Sequence, residues 1–149
     1  MTIGICSGYF QRFHQGHYKY IKSALDLFDY VIVIINNDEQ QKIKYADFEN
    51  LREAEKIEKE IRDSFSEYNN LGTIISIDTD GSVCETLKYI RQIYPSKSLY
   101  FCKDGDRNKH NIPETKIMKK CKIKYINFLN PKIESSTNIM GQEVERWYL

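Results

Sequence analysis

Apolar runs of strand length alternate with helical patterns along the whole chain, and this alternation constrains the fold more than any other feature. Five runs are short and continuously apolar, which is typical of parallel strands covered by helices on both faces. They cover residues 3–7, 30–35, 73–77, 99–102 and 123–127. We therefore predict one α/β domain over residues 1–149, a Rossmann-like three-layer domain with a five-stranded, mostly parallel sheet.

The segments between these runs carry apolar residues at helical spacing. The first helix is predicted from about Gly16, and a long middle helix carries an apolar stripe from Leu51 to Tyr68. Ser82 and Glu85 have the spacing of a capping box, which predicts the start of the next helix. The last two helices are expected to begin near Pro113 and Ser135.

The composition of the chain limits the kinds of partner and compartment that we expect for it. The 149 residues include 22 basic and 21 acidic side chains, a net charge of +1, so no basic excess favours nucleic acid or an anionic membrane. The aliphatic run at 31–35 is too short to span a bilayer. The four cysteines are scattered without a C-x-x-C pair, as expected of reduced thiols. We expect a cytoplasmic protein with no membrane or nucleic-acid partner.

The loop after the first strand carries the strongest functional signal. Parallel sheets bind ligands beyond the carboxyl ends of their strands, and here this position holds His14 and His17 at the start of a helix. A helix N-terminus attracts phosphate, and Gly8 and Gly16 allow the backbone to approach it closely. No third metal ligand lies nearby, since His110 is remote in sequence, so we predict a phosphate site and no protein-bound metal.

Three motifs in order along the chain resemble those of the cytidylyltransferase-like nucleotidyltransferases. His14-Gln15-Gly16-His17 resembles the family's H-x-G-H, and it is preceded by Gly8-Tyr9-Phe10, which resembles G-x-F. The segment 103–107, Lys-Asp-Gly-Asp-Arg, is similar to the K-G-G-D segment of sugar-phosphate members, among them heptose 1-phosphate adenylyltransferases and glycerol-3-phosphate cytidylyltransferases. Residues 132–137 resemble the I-S-S/T-T start of the last helix.

The resemblance implies a role for each matching residue. His14, His17 and Lys44 would be catalytic, and Lys42 and Arg52 would contact substrate phosphate. The nucleotide would be bound by residues from all three motifs: Gly8, Tyr9, Phe10, Gly16, Asp106, Arg107, Ser135, Ser136 and Thr137. The expected reaction transfers NMP from CTP or ATP to a sugar or polyol phosphate and releases pyrophosphate, with Mg²⁺ held mainly by the nucleotide. A homodimer is the assembly that the resemblance suggests, although the family's dimer-forming segment is not recognisable in residues 68–72.

Three positions depart from the family pattern. Gln11 stands where many members have aspartate, Asp104 replaces the first glycine of K-G-G-D, and Met140 replaces a common basic residue. These departures leave two alternatives open: an adenylyltransferase for a cofactor precursor, and a non-catalytic nucleotide-binding or sensor domain of the same fold. A flavodoxin-like regulatory domain would instead have acidic residues in place of His14 and His17.

Overall fold

A computed structural model describes residues 1–105 and 112–128, together with the backbone of residues 133–134. Its elements in chain order are β1 (Thr2–Gly8), α1 (Gln15–Leu27), β2 (Tyr30–Ile35), α2 (Asp38–Lys44), α3 (Ala54–Ser64), β3 (Leu71–Ile75), α4 (Cys84–Ile93), β4 (Ser98–Lys103), α5 (Thr115–Cys121), β5 (Lys124–Asn127) and β6 (Ile133–Glu134). The predicted α/β class and the five parallel strands are confirmed.

The strand order is β3-β2-β1-β4-β5-β6, with the two-residue β6 antiparallel to β5. The chain runs outward from β1 to β3 and then crosses back to β4 on the other side of β1, so the order reverses between β1 and β4. Loops diverge at such a reversal and leave a crevice beyond the carboxyl ends of the strands. The predicted site loop after β1 therefore lies where this sheet accepts a ligand.

Successive side chains of each buried strand point into two separate cores, one on each face of the sheet. On one face Ile21 and Ala24 of α1 pack with Ile57 and Ile61 of α3. On the other face Leu87 of α4 packs with Met118 of α5, and the odd-numbered strand residues Ile3 and Ile5 of β1 lie in this second core. Because both faces are covered by helices, β1, β2 and β4 are continuously apolar rather than alternating.

The segment between β2 and β3 differs from the prediction of one long helix. It contains the short helix α2, and then α3, which is confined to residues 54–64. The predicted apolar stripe is confirmed where it overlaps α3, since Ala54, Ile57 and Ile61 are buried. Helix α2 was missed because its buried side chains, Gln40 and Gln41, are polar and give no apolar periodicity.

The start of α4 also differs from the prediction. Its N-terminal cap is Val83, without a side-chain hydrogen bond, so the expected capping box of Ser82 and Glu85 is wrong. The buried carboxylate of Asp78 accepts the backbone N–H groups of Glu85 (2.7 Å) and Thr86 (3.0 Å) instead. An acceptor six residues before the helix satisfies donors that a local cap usually satisfies.

Strand β3 ends at Ile75 rather than at residue 77, because the chain leaves the sheet at Ser76, whose carbonyl accepts the side-chain amide of Asn37 at 3.0 Å. The other strand limits agree with the predictions within two residues. The last predicted helix, near Ser135, lies outside the described residues. Among the residues that the structure describes, no helix is long and apolar enough to cross a membrane.

Replacing Asp78 by alanine is expected to lower the free energy of unfolding by about 2–3 kcal/mol, because two backbone donors and the Thr86 hydroxyl lose a buried charged acceptor. Urea denaturation measures the change. Asp80→Ala is the control, since Asp80 is exposed and its carboxylate accepts hydrogen bonds from Ser82 within its own turn. An equal loss in both variants would contradict the capping role of Asp78.

Candidate active site

A cavity of about 820 Å³ lies over the carboxyl ends of the strands, at the reversal between β1 and β4. It brings together seven of the residues predicted to form the site: Gly8, Tyr9, Phe10, His14, His17, Lys44 and Arg52. The cavity is therefore built from the loop after β1, the end of α2 and the segment that precedes α3.

The floor of the cavity is fixed by a hydroxyl that joins the two diverging strands. The buried Tyr20 of α1 accepts the backbone N–H of Ser7 at 3.1 Å and donates to the carbonyl of Cys102. Burial raises the pKa of Tyr20 well above its ordinary value of 10.0, so the phenol stays protonated and remains a donor. Tyr20 thus bridges β1 and β4 where their pairing ends, at Cys6 and Cys102.

His14 and His17 cap helix α1 reciprocally with their rings. The Nδ1 atom of His14 accepts the N–H of Gly16 at 2.9 Å, and the backbone N–H of His14 donates to Nδ1 of His17 at 3.3 Å. Since both Nδ1 atoms are acceptors, the proton of each neutral ring lies on Nε2. Two Nε2–H donors at a helix N-terminus suit a phosphate group.

An aromatic cluster holds the two rings in place. The imidazoles of His14 and His17 stack with their centroids 3.9 Å apart. Phe13 stacks on His17 at 5.9 Å, and Phe10 meets it edge-on at 5.1 Å. Burial, and then the electrostatic effect of the neighbouring His14, lower the pKa of His17 below its ordinary value of 6.5. His17 is therefore a neutral donor at pH 7.

This lowered pKa predicts a pH dependence of stability. The folded protein binds a proton at His17 less readily than the unfolded chain, so the contribution of neutral His17 to stability is complete above pH 6.5 and is lost as the pH falls below that value and through the lower pKa of the folded state. Urea denaturation between pH 8 and pH 5 is expected to show a smaller loss of unfolding free energy in His17→Gln than in the wild type. Parallel curves for the two proteins would contradict the lowered pKa.

Two glycines are required by the packing of this loop. A Cβ atom on Gly16 would lie 2.8 Å from Cε1 of His14, and one on Gly8 would lie 2.9 Å from Cζ of Phe10. Phe10 itself adopts a left-handed backbone conformation with φ of 53°, which is rare for a bulky residue. Strain of this kind is concentrated at functional sites, where the surrounding structure maintains it.

Lys44 lines the cavity and Lys42 does not, although the resemblance implied phosphate contacts for both. The Nζ atom of Lys44 lies 4.2 Å from the ring centroid of Tyr9, at the wall of the cavity. Gln41, one turn earlier, donates to the carbonyl of Tyr9 at 2.8 Å and so ties α2 to the loop. Lys42 is exposed and does not line the cavity, because residues two apart on a helix face different directions.

Arg52 lies before α3 rather than within a long helix, and Gln11 holds it. The side chain of Gln11 donates to the carbonyl of Arg52 at 2.8 Å and accepts its N–H at 3.1 Å. The guanidinium of Arg52 donates to the carbonyl of Gln11 at 3.1 Å and forms an ion pair with Glu60 at 3.0 Å. The amide of Gln11 thus has a positioning role that needs both a donor and an acceptor, which an ionised aspartate cannot supply.

Sequence reasoning missed two contributors to the cavity. Lys103, at the end of β4, donates to the hydroxyl of Ser7 at 2.7 Å and so places a cation across the gap between β1 and β4. Glu114 lines the cavity from the other side and is buried. Lys103 was visible as the first residue of the K-G-G-D-like segment, and Glu114 belongs to the segment after it that also resembles sugar-phosphate members, but neither residue was given a role.

Asp104 also lines the cavity and is exposed there, with its carboxylate accepting the N–H of Gly105 at 3.0 Å. Gly105 has φ of 90°, a conformation that favours glycine. The predicted nucleotide-binding residues beyond this turn lie outside the described residues: Asp106, Arg107, Ser135, Ser136 and Thr137.

Comparisons with known proteins agree with this geometry. The sequence profile of the family described as Cytidylyltransferase-like matches residues 5–142. No curated protein sequence matches the chain. A solved structure, the lipopolysaccharide core biosynthesis protein from Thermoplasma volcanium GSS1, is similar in fold with a TM-score of 0.56 and 17% identity, covering 85% of this chain and 95% of that one. The profile match spans nearly the whole chain and includes every part of the cavity, and the chain belongs to the cytidylyltransferase-like family.

Proposed function

We propose that this protein is a nucleotidyltransferase that moves NMP from CTP or ATP to a sugar or polyol phosphate and releases pyrophosphate. The observation that carries the proposal is the reciprocal cap of α1, in which His14 and His17 both leave Nε2–H as a donor at a helix N-terminus. Membership of the cytidylyltransferase-like family supports the same reaction class.

The reaction is an in-line displacement at the α-phosphorus of the nucleotide. An oxygen of the acceptor phosphate attacks, a new P–O bond forms, and the bond from the α-phosphorus to the oxygen that bridges it to the β-phosphorus breaks, so pyrophosphate leaves with the electron pair. The acceptor oxygen is already ionised at neutral pH, and no protein nucleophile or general base is required.

The protein contributes charge stabilisation and position. His14 and His17 would donate to the α-phosphate and to the departing pyrophosphate, where negative charge accumulates. Lys44, Arg52 and Lys103 line the same cavity and would neutralise the phosphates of the two substrates. Since His17 stays neutral at pH 7, its donor does not depend on protonation.

Mg²⁺ is proposed as the cofactor. Among the described residues no group of three or more His, Cys, Asp or Glu side chains is placed to hold a metal ion, whereas Mg²⁺ commonly binds through substrate phosphates, water and at most one or two carboxylates. Asp104, exposed in the cavity wall, fits that limited role. When bound, the ion would offset the charge of the triphosphate.

A pyrophosphate-release screen of four nucleoside triphosphates against a panel of phosphorylated acceptors tests the proposal. Sugar and polyol phosphates with CTP or ATP are expected to give turnover. Turnover only with FMN or a pantetheine phosphate would favour the cofactor-precursor alternative. Nucleotide binding without pyrophosphate release from any acceptor would favour the sensor alternative, which the departures at Gln11 and Asp104 keep in consideration.

A further inference from the structure

The cavity extends to both faces of the sheet, and its second end is formed by Glu114 together with Val83. His14 and His17 lie on the face covered by α1, and Phe10, which packs against His17, belongs to the core of that face. Val83 belongs to the opposite core, which α4 and α5 cover. The lining residues of the cavity therefore come from both faces of the sheet, and Glu114 and Val83 form what we call its second end.

Glu114 is a buried carboxylate that faces this second end. It is only 4% exposed, and it lines the cavity. Its Oε2 atom accepts the N–H of Val83 at 2.9 Å. An ionised carboxylate has four acceptor sites, so Glu114 can also accept a hydrogen bond from a donor group on a ligand in the cavity.

The wall around Glu114 is held by hydrogen bonds from side-chain amides to loop carbonyls. The side-chain amide of Gln40 donates to the carbonyls of Asp80 (2.5 Å) and Ser82 (2.8 Å), and Asn37 donates to the carbonyl of Asp78 at 2.7 Å. These bonds hold the loop that leads to Val83, and Val83 in turn holds Glu114. A side chain positioned in this way is preorganised to select a ligand group.

Charge decides which part of the substrates meets Glu114. The phosphates of both substrates are anionic and would be repelled by a carboxylate, so they belong with the cations Lys44, Arg52 and Lys103. The substrate group that contacts Glu114 is therefore expected to be a neutral hydrogen-bond donor. A hydroxyl suits it better than an ammonium group, because burying a second charge adds a desolvation cost.

We propose that Glu114 is a specificity residue that accepts a hydrogen bond from a hydroxyl of the acceptor, so that the enzyme selects polyol or sugar phosphates over phosphates without hydroxyls. This assignment rests on the proposed function and names the substrate class of the same site. Selection by a buried hydrogen-bonding group discriminates strongly against an analogue that lacks the hydroxyl, because the group is then left unpaired.

Isothermal titration calorimetry with matched ligand pairs tests the assignment without requiring turnover. Glycerol 3-phosphate is compared with propyl phosphate, and a hexose 1-phosphate with cyclohexyl phosphate, in the presence of saturating α,β-methylene ATP or CTP. The wild type is expected to bind the hydroxylated member of at least one pair about ten- to a hundredfold more tightly. Glu114→Gln is expected to abolish that preference while binding propyl phosphate and the nucleotide analogue within about twofold of wild type.

The controls separate recognition from structure. In the Glu114→Gln variant the new amide oxygen can still accept the N–H of Val83, so the Tm is expected to change little. Glu114→Asp, which withdraws the carboxylate by one methylene, is a second variant expected to lose the preference. Glu85→Gln removes an exposed carboxylate of α4 that does not line the cavity, and it should keep the preference.

Four results would overturn the assignment: no preference in the wild type, a preference that survives in Glu114→Gln, a loss of affinity for every ligand together, or tighter binding of phosphoethanolamine than of glycerol 3-phosphate. A preference that depends on Glu114 in a protein that releases no pyrophosphate would keep the assignment and contradict the proposed transfer reaction instead.

Discussion

Replacing His17 by alanine is expected to lower kcat by about 10²–10³-fold while the protein stays folded. The variant removes a neutral Nε2–H donor from the point at which negative charge develops on the α-phosphate. It also removes the acceptor for the N–H of His14, a change that costs about 1 kcal/mol of stability at a helix cap. Steady-state pyrophosphate release and a thermal melt measure the two effects separately.

The matched control for His17→Ala is Gln15→Ala in the same turn of α1. Gln15 is exposed and does not line the cavity, so the substitution keeps the helix and both imidazoles. We expect its kcat to stay within about twofold of wild type. Turnover near the wild-type value in His17→Ala would refute the catalytic role of His17.

Replacing Gly16 by alanine is expected to lower turnover by about 10²-fold with little change in stability. The new methyl group would lie 2.8 Å from Cε1 of His14 and displace its ring, and a misplacement of about 1 Å at a reacting centre costs about this much. Alanine is a better helix residue than glycine by roughly 0.5–1 kcal/mol, and this gain about offsets the loss of the cap bond from the Gly16 N–H to His14, so the Tm should change little. Activity is thus expected to fall without a matching fall in stability.

A double-mutant cycle with His14→Ala tests the cause of this loss. Without the His14 ring the added methyl group has nothing to displace, so Gly16→Ala should cost no further activity in that background. An additive loss in the double variant would show that Gly16 acts through the backbone or the bound phosphate rather than through His14.

The parts of the fold that were predictable are those whose residues bury apolar surface. The strands were recognisable because both faces of the sheet are covered, which makes β1, β2 and β4 continuously apolar. Helix α2 was not recognisable, because it packs through Gln40 and Gln41. Their side-chain amides donate to loop carbonyls that are distant in sequence. Long-range polar contacts leave no period in the sequence.

The candidate site was predictable to a similar extent and for a related reason. The loop from Gly8 to His17 is contiguous, so its glycines and histidines could be interpreted together. Glu114 and Lys103 reach the cavity from separate elements, and only the strand order brings them to it. The role of Gln11 was likewise hidden, because its partner Arg52 lies 41 residues away.

Transfer of a labelled phosphate tests the central claim most directly. The protein is incubated with the most active nucleotide and acceptor, with ³²P placed at the α-phosphorus in one reaction and at the γ-phosphorus in another. We predict that the α label moves to the acceptor, that the γ label is released in pyrophosphate, and that His17→Ala slows both. Appearance of the γ label on the acceptor, or nucleotide binding with neither label transferred, would contradict nucleotidyl transfer at this site.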